Sequence, residues 1–172
     1  MAGIDENLTF YPLGIAVLTI SDTRDEVTDT SGALLVERLT SAGHILIDRA
    51  IVRDDIEEIQ KSLQRWRTNE KIEIILTTGG TGFSPRDNTP EAVKPLLRRE
   101  MDGFAIAFQQ KSLQTVGVAA MQSRAFAGLA NNPFVFCLPG STSACTTGWE
   151  KIIRAQLDAR TRPCNLATLR PR

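Results

Sequence analysis

The stretch Ile72-Glu73-Ile74-Ile75-Leu76-Thr77-Thr78-Gly79-Gly80-Thr81-Gly82-Phe83-Ser84-Pro85-Arg86-Asp87-Asn88-Thr89-Pro90-Glu91 passes from an apolar strand, through a glycine-rich loop, into a helix start. Ile72, Ile74, Ile75 and Leu76 make a short β-branched run of the kind buried in a parallel sheet. Thr89-Pro90 reads as a cap followed by proline at the first helical position. Strand, loop and helix in that order predict an α/β unit. The loop has its own chemistry. Glycines let the backbone approach a ligand and turn N–H groups toward an anion, and the helix start beyond adds unpaired donors and a favourable dipole. Arg86 can face phosphate oxygens, and Asp87 can hold a magnesium ion. The segment therefore reads as a site for a phosphorylated ligand with a divalent cation. The plain alternative is a tight strand-to-helix turn, with Asp87 complementing the helix dipole.

The same pattern recurs on either side. Ile15-Ala16-Val17-Leu18-Thr19-Ile20 reads as a strand buried on both faces, followed by a polar loop and a helix over 30–42 that stops at Gly43. Ile45-Leu46-Ile47 and Ala50-Ile51-Val52 form a second strand. Asp54 is read as the N-cap of the next helix, whose Ile56, Ile59, Leu63 and Trp66 make one apolar stripe. Pro95 should end the helix begun at Thr89 after little more than a turn. Residues 101–114 read as a helix with Phe104 and Phe108 on one face. Residues 115–132 carry no clear period. Pro133-Phe134-Val135-Phe136-Cys137-Leu138 is a fourth strand, turning at Pro139-Gly140-Ser141 into a long helix over 142–157. The basic tail from Asp158 is expected to lie over the surface. Alternating strands and helices predict a three-layer α/β/α sandwich with a mostly parallel central sheet. In such sheets ligands bind beyond the carboxyl ends of the strands. Ser21-Asp22, Arg53-Asp54-Asp55, the glycine loop and Pro139-Gly140-Ser141 should therefore share one sheet edge. Polar turns are expected there in any case.

Bulk properties narrow the function. The chain has 172 residues, with 20 Lys plus Arg balancing 20 Asp plus Glu. That length suits one domain, read as residues 14–172 after an N-terminal extension over 1–13. The charge balance leaves no footprint for nucleic acid or an anionic membrane, so any anion site must be local. No apolar run approaches the ~20 residues of a spanning helix, and the polar start lacks a signal-peptide pattern, so a cytoplasmic protein is expected. One histidine, His44, and three scattered cysteines, Cys137, Cys145 and Cys164, argue against a zinc enzyme or a histidine triad. The loop is neither a Walker A motif, since no Gly-Lys-Ser/Thr follows, nor Gly-x-Gly-x-x-Gly. A flavodoxin-like site would place its glycine loop after the first strand. Asp22, Asp25 and Asp29 read as solvated loop charges, and Cys137 as core.

Taken together, these segments resemble the MoaB/MogA family, whose molybdopterin-binding fold is shared with the G domain of gephyrin. Thr77-Thr78-Gly79-Gly80-Thr81-Gly82, Arg86-Asp87 and Thr89-Pro90-Glu91-Ala92 carry the resemblance. Ser21-Asp22, Asp29-Thr30-Ser31-Gly32, Arg99-Glu100-Met101-Asp102-Gly103-Phe104, Ser123-Arg124-Ala125 and Leu138-Pro139-Gly140-Ser141 follow in the family's order. The segment from Gln156 to Asn165 looks especially like the MoaB branch. Thr142 departs from the adenylyltransferase branch, which often has proline there.

The resemblance implies a trimer, or a hexamer of paired trimers. It also implies attachment of AMP from magnesium ATP to the terminal phosphate of molybdopterin; the alternative reading of this chain is a non-catalytic molybdopterin-binding or carrier oligomer of the same pathway. Carried onto this chain, Gly79, Gly80, Thr81 and Gly82 cradle phosphate, and Asp87 matches the aspartate most tied to catalysis and is the magnesium ligand. Asp54 matches a second aspartate, and Ser141 contacts the pterin or its phosphate. Ser21, Asp22, Thr78, Arg86, Pro139 and Gly140 complete the implied binding set. The expected partners are a pterin and a nucleotide.

Overall fold

The computed structural model describes residues 3–169. Its centre is a six-stranded sheet in the order β3-β2-β4-β7-β6-β5: β2 Gly14–Ile20, β3 Ile45–Val52, β4 Ile74–Thr78, β5 Arg99–Glu100, β6 Phe126–Leu129 and β7 Phe134–Leu138. The pairs β2/β3, β2/β4 and β4/β7 are parallel, while β6/β7 and β5/β6 are antiparallel. β2, β4 and β7 are buried along their whole length. Residues of both faces are therefore mostly apolar, with Thr19, Thr77 and Thr78 as buried exceptions near the strand ends, which is why these strands read as nearly continuous hydrophobic runs.

Alternate residues of each strand feed two cores. On one face Ile15, Val17, Ile74, Leu76, Phe134 and Phe136 pack with Leu35 and Leu39 of α1 Thr30–Ser41 and Trp149 of the C-terminal helix. On the other, Ala16, Leu18, Ile75, Val135 and Cys137 pack with Ile59, Leu63 and Trp66 of α2 Ile56–Arg67 and Val93 of α3 Thr89–Val93. Helices thus cover both faces, as the sandwich requires. α4 Asp102–Val116 places Phe104 and Phe108 in the first core, their rings 5.9 Å apart. α3 gives way at Lys94–Leu96 to one 3-10 turn, where Pro95 stands.

Several sequence expectations change. β4 begins at Ile74 and carries Thr77 and Thr78 inside the strand. Residues 115–132 contain the antiparallel β6, paired to β7, a strand the sequence reading lacks. The long helix is interrupted: α5 Thr142–Gly148 passes into a π-helical turn, Trp149–Ile153, before α6 Arg154–Gln156. That widened turn keeps Trp149 and Ile153 together in the core. The tail is anchored by the fully buried Ala167, and β8 Thr161–Arg162 pairs antiparallel with β1 Gly3–Ile4 of the N-terminal extension. Residues 1–2 and 170–172, the extremes of the extension and tail, lie outside the described residues. No described helix is long and apolar enough to cross a membrane.

Candidate functional site

The connection from β2 places β3 on one side of it, and the chain then crosses back to set β4 on the other side. This reversal opens a crevice between the loops leaving β2 and β4, at their carboxyl ends. An open cleft of about 920 Å³ lies there, lined by 19–24, Asp54, 78–82, Arg86, Asp87, Gln122, Ser123, Pro139 and Gly140. All four turn segments expected on one sheet edge do meet at this end.

The glycine loop is shaped by its neighbours. Gly79 has φ +108 and Gly80 φ +68, the left-handed region that glycine tolerates. A Cβ on Gly79 would stand 2.1 Å from the Ile20 carbonyl oxygen; one on Gly80 would meet Thr89 Oγ1 at 2.3 Å and Asp54 Oδ2 at 2.6 Å. Thr89 donates its hydroxyl to the Gly79 carbonyl at 2.8 Å, and its N–H to the Gly80 carbonyl at 3.0 Å. The backbone of 80–82 is thereby held against the cleft, and its N–H groups have no protein acceptor among the described residues. Below it, Thr78 donates to the Pro139 carbonyl at 3.0 Å, and Cys145 Sγ to Thr78 Oγ1 at 3.3 Å. These contacts lock the β4 and β7 ends together. Burial pushes the Cys145 thiol up to about 11, so it is a structural thiol.

The carboxylates sort differently from the sequence reading. Asp55, not Asp54, caps α2, accepting the Glu58 N–H at 3.0 Å. Asp54 instead turns to the cleft: Oδ1 accepts the Asn88 N–H at 2.9 Å and Oδ2 faces Gly80. Burial holds its carboxyl above the ordinary range; the Asn88 N–H opposes this, and the Asp87 and Asp22 carboxylates add to it. Asp87 Oδ2 accepts the Ser84 N–H at 2.9 Å and lies 2.7 Å from where a Gly82 Cβ would be. The helix cap is Asn88, while Thr89 is the first residue of α3. Asp29, expected in solvent, is buried at the start of α1. It takes hydrogen bonds from Thr19 Oγ1 at 2.7 Å, Gly32 N at 2.9 Å and Arg49 Nη2 at 3.0 Å. Burial works against its ionisation, but these donors outweigh it and hold its carboxyl low.

Arg86 lines the cleft but is engaged: its Nε donates to Asp22 Oδ2 at 2.7 Å and Nη2 joins the same oxygen. This pairing holds the Asp22 carboxyl low. Ser21 accepts the N–H groups of Thr23 and Arg24 and shapes the loop after β2. Ser141 lies outside the cleft lining: it caps α5, accepting the Ala144 N–H at 3.1 Å, and borders a smaller adjoining pocket. The sequence reading missed Arg24. Its Nη1 donates to Ser31 Oγ at 2.7 Å and lies 4.0 Å from Asp29 Oδ1, and the residue lines the cleft. A lone arginine in a loop of mixed charge carried no signal; the Ser31 contact exists only once α1 is docked.

The cleft lining thus carries Arg24 and Arg86 together with Asp22, Asp54 and Asp87. Two carboxylates beside free N–H groups suit a magnesium ion shared with ligand phosphates, since magnesium takes one or two carboxylates and leaves its other positions to phosphate and water. Among the described residues no group of three or more His, Cys, Asp or Glu could hold a metal unaided.

Comparison with known proteins agrees with this geometry. A family model described as "Probable molybdopterin binding domain" matches residues 16–159. Molybdenum cofactor biosynthesis protein B of Escherichia coli (strain K12) is 46% identical over 156 residues, 91% of this chain and 92% of that protein. A crystal structure of Molybdenum cofactor biosynthesis protein B superposes with TM-score 0.83 at 41% identity, covering 86% of this chain and 92% of the other. The tungsten cofactor synthesizing protein MoaB from Pyrococcus furiosus superposes with TM-score 0.74 at 36% identity, over 82% and 90%. With a whole-domain match, relatives of this identity and a cleft at the sheet's reversal point, the chain belongs to the MoaB/MogA family of molybdopterin-binding domains.

Proposed function

We propose that the chain acts in molybdenum cofactor biosynthesis by binding molybdopterin in this cleft and adenylylating its terminal phosphate with magnesium ATP. The observation that carries the reading is the convergence of Asp54 and Asp87 on a cleft-lining loop whose Gly80, Thr81 and Gly82 N–H groups have no protein acceptor among the described residues. An oxygen of the phosphate monoester attacks the α-phosphorus of ATP, a P–O–P anhydride bond forms, and pyrophosphate leaves. The attacking oxygen is already ionised at neutral pH, so no protein base is needed, in keeping with a cleft that holds no histidine. The chain's work is positioning and charge stabilisation. The loop N–H groups and the Arg24 guanidinium hold phosphate oxygens, and Asp87, with Asp54 beside it, would hold magnesium. The ion would supply neutralisation of phosphate charge. Arg86 must exchange Asp22 for ligand if it is to touch phosphate.

Exposed apolar side chains on α4 and the turn after it, among them Ile106, Leu113, Val116, Val118 and Met121, support a homo-oligomer, trimer or hexamer, built on a single domain over 14–172.

The test is direct. Protein, molybdopterin and magnesium ATP are incubated, and adenylylated molybdopterin and pyrophosphate are measured. Asp87→Ala is expected to lose turnover while keeping its fold and binding. Wild-type protein that binds molybdopterin without product would favour the carrier role; failure to bind molybdopterin would remove both readings.

A further inference from the structure

Arg124 stands just before β6, and the sequence reading did not place it in the site, yet it holds the glycine loop and its continuation at three carbonyls. Its N–H donates to the Thr81 carbonyl at 2.8 Å. Its Nε donates to the Gly82 carbonyl at 2.8 Å and its Nη2 to the Asp87 carbonyl at 2.9 Å. Nη1 pairs with the Glu91 carboxylate on α3, and the Phe83 ring lies 5.3 Å from the guanidinium carbon. The planar guanidinium therefore bridges both ends of the segment 82–87. That segment needs a bridge, because 83–86 are exposed, it contributes nothing to either core, and beyond Arg124 its side-chain tie to the rest of the fold is Arg86 to Asp22. Its internal ties are Asp87 N–H to the Ser84 carbonyl and Ser84 N–H to Asp87 Oδ2, each 2.9 Å, and Arg86 N–H to Ser84 Oγ at 3.3 Å.

We propose that Arg124 is a positioning residue, which fastens both ends of the 82–87 loop and so sets where Asp87 presents its carboxylate to a phosphorylated ligand. The loop-clamp part stands on geometry; the catalytic part rests on the adenylylation reading above. Three donors reach three acceptors in one plane, which a lysine ammonium, a single point on a flexible stem, cannot reproduce. Glu91 orients the fork, and the contact holds the Glu91 carboxyl below its ordinary range.

The experiment compares wild type with Arg124→Lys, Arg124→Gln and Glu91→Gln. Amide hydrogen exchange at Ser84 and Asp87 is read against exchange in β4 and β7. Both Arg124 variants should lose about 10-fold protection at Ser84 and Asp87 with β4 and β7 unchanged. In the same variants kcat should fall about 100-fold while KM for molybdopterin moves less than about 3-fold, the signature of misplacement rather than lost binding. Unchanged loop exchange overturns the clamp, and lost protection with unchanged kcat overturns the positioning role. If Arg124→Gln also opens β4 and β7, Glu91→Gln, which leaves the fork in place but frees one nitrogen, decides by a smaller loss confined to the loop; no loss there overturns the proposal. If wild type itself shows no turnover, the adenylylation reading fails, and loop exchange alone decides the clamp.

Discussion

Asp54 Oδ1 accepts the backbone N–H of Asn88 at 2.9 Å, joining the end of β3 to the loop that carries Asp87 across 34 positions of sequence. The carboxylate gains this hydrogen bond yet is still held above its ordinary range by burial and by two neighbouring carboxylates. Its charge is a cost to the empty fold and an asset to a cation.

The first prediction follows from that balance. Because the folded pKa of Asp54 is raised, the native state keeps its proton to higher pH than the unfolded chain. Its contribution to stability therefore falls as pH rises through that interval, and the penalty stays above it. Asp54→Asn keeps the Oδ1 acceptor and removes the charge. Its Tm at pH 7 should equal or slightly exceed that of wild type, while turnover with magnesium ATP drops at least about 10-fold. Thermal melts and the pyrophosphate assay check both halves; a lowered Tm with full activity would reverse the assignment.

Gly80→Ala should be severe. The new methyl group would meet Thr89 Oγ1 and Asp54 Oδ2 well inside contact distance, at a φ of +68. Left-handed backbone costs roughly 1–2 kcal/mol for a residue with a Cβ, and overpacking adds about 1–3 kcal/mol. Urea denaturation should show a loss of about 2 kcal/mol or more. Gly103→Ala, where a Cβ meets nothing within 4 Å, is the control expected to remain near wild type.

His44 is buried beside Phe10 and Trp149, its ring centroid 5.2 and 6.4 Å from theirs, and its Nδ1 accepts the Leu13 N–H at 3.2 Å. Burial lowers its pKa from 6.5 to about 4, against a weaker pull from Asp158. The unfolded chain therefore binds a proton that the native state refuses. Stability from this group is full above pH 6.5 and is lost as pH falls toward about 4. His44→Phe should lose about 1–3 kcal/mol at pH 7, because the Leu13 N–H is left without its acceptor. It should also show a shallower decline between pH 6.5 and 5, above the main carboxylate range. Denaturation midpoints across that interval test the slope.

The cysteines should separate cleanly under a thiol reagent. Cys164 is exposed, whereas Cys137 and Cys145 are fully buried and burial pushes their thiols up to about 12 and about 11. One thiol should react in native buffer and three after denaturation. Early reaction of Cys145 would mean that its contact with Thr78 opens in solution.

The parallel strands were legible because each lies between two helical layers, and residues hidden on both faces are mostly apolar whatever their neighbours. β6 was not. Phe126-Ala127-Gly128-Leu129 is short, contains a glycine, and becomes a strand only because β7 offers it an edge. Asp54 and Asp55 show the same limit at the site. Either can cap a helix, and only the path of the chain after β3 turns Asp55 to the Glu58 N–H and leaves Asp54 to face Gly80.

Periodicity and glycine placement by themselves determined an α/β sandwich with a glycine-rich loop after β4, since burial and positive φ restrict which residues can stand where. The resemblance to the family's motifs is what implied a chemistry. Tertiary structure decided which polar groups meet: Asp54 with the Asn88 N–H beside Asp87, Arg86 with Asp22, Arg24 with Ser31, and Arg124 across the carbonyls of Gly82 and Asp87. Charged side chains in loops carry no period, so their partners are set by how the helices dock, at separations the linear sequence does not encode.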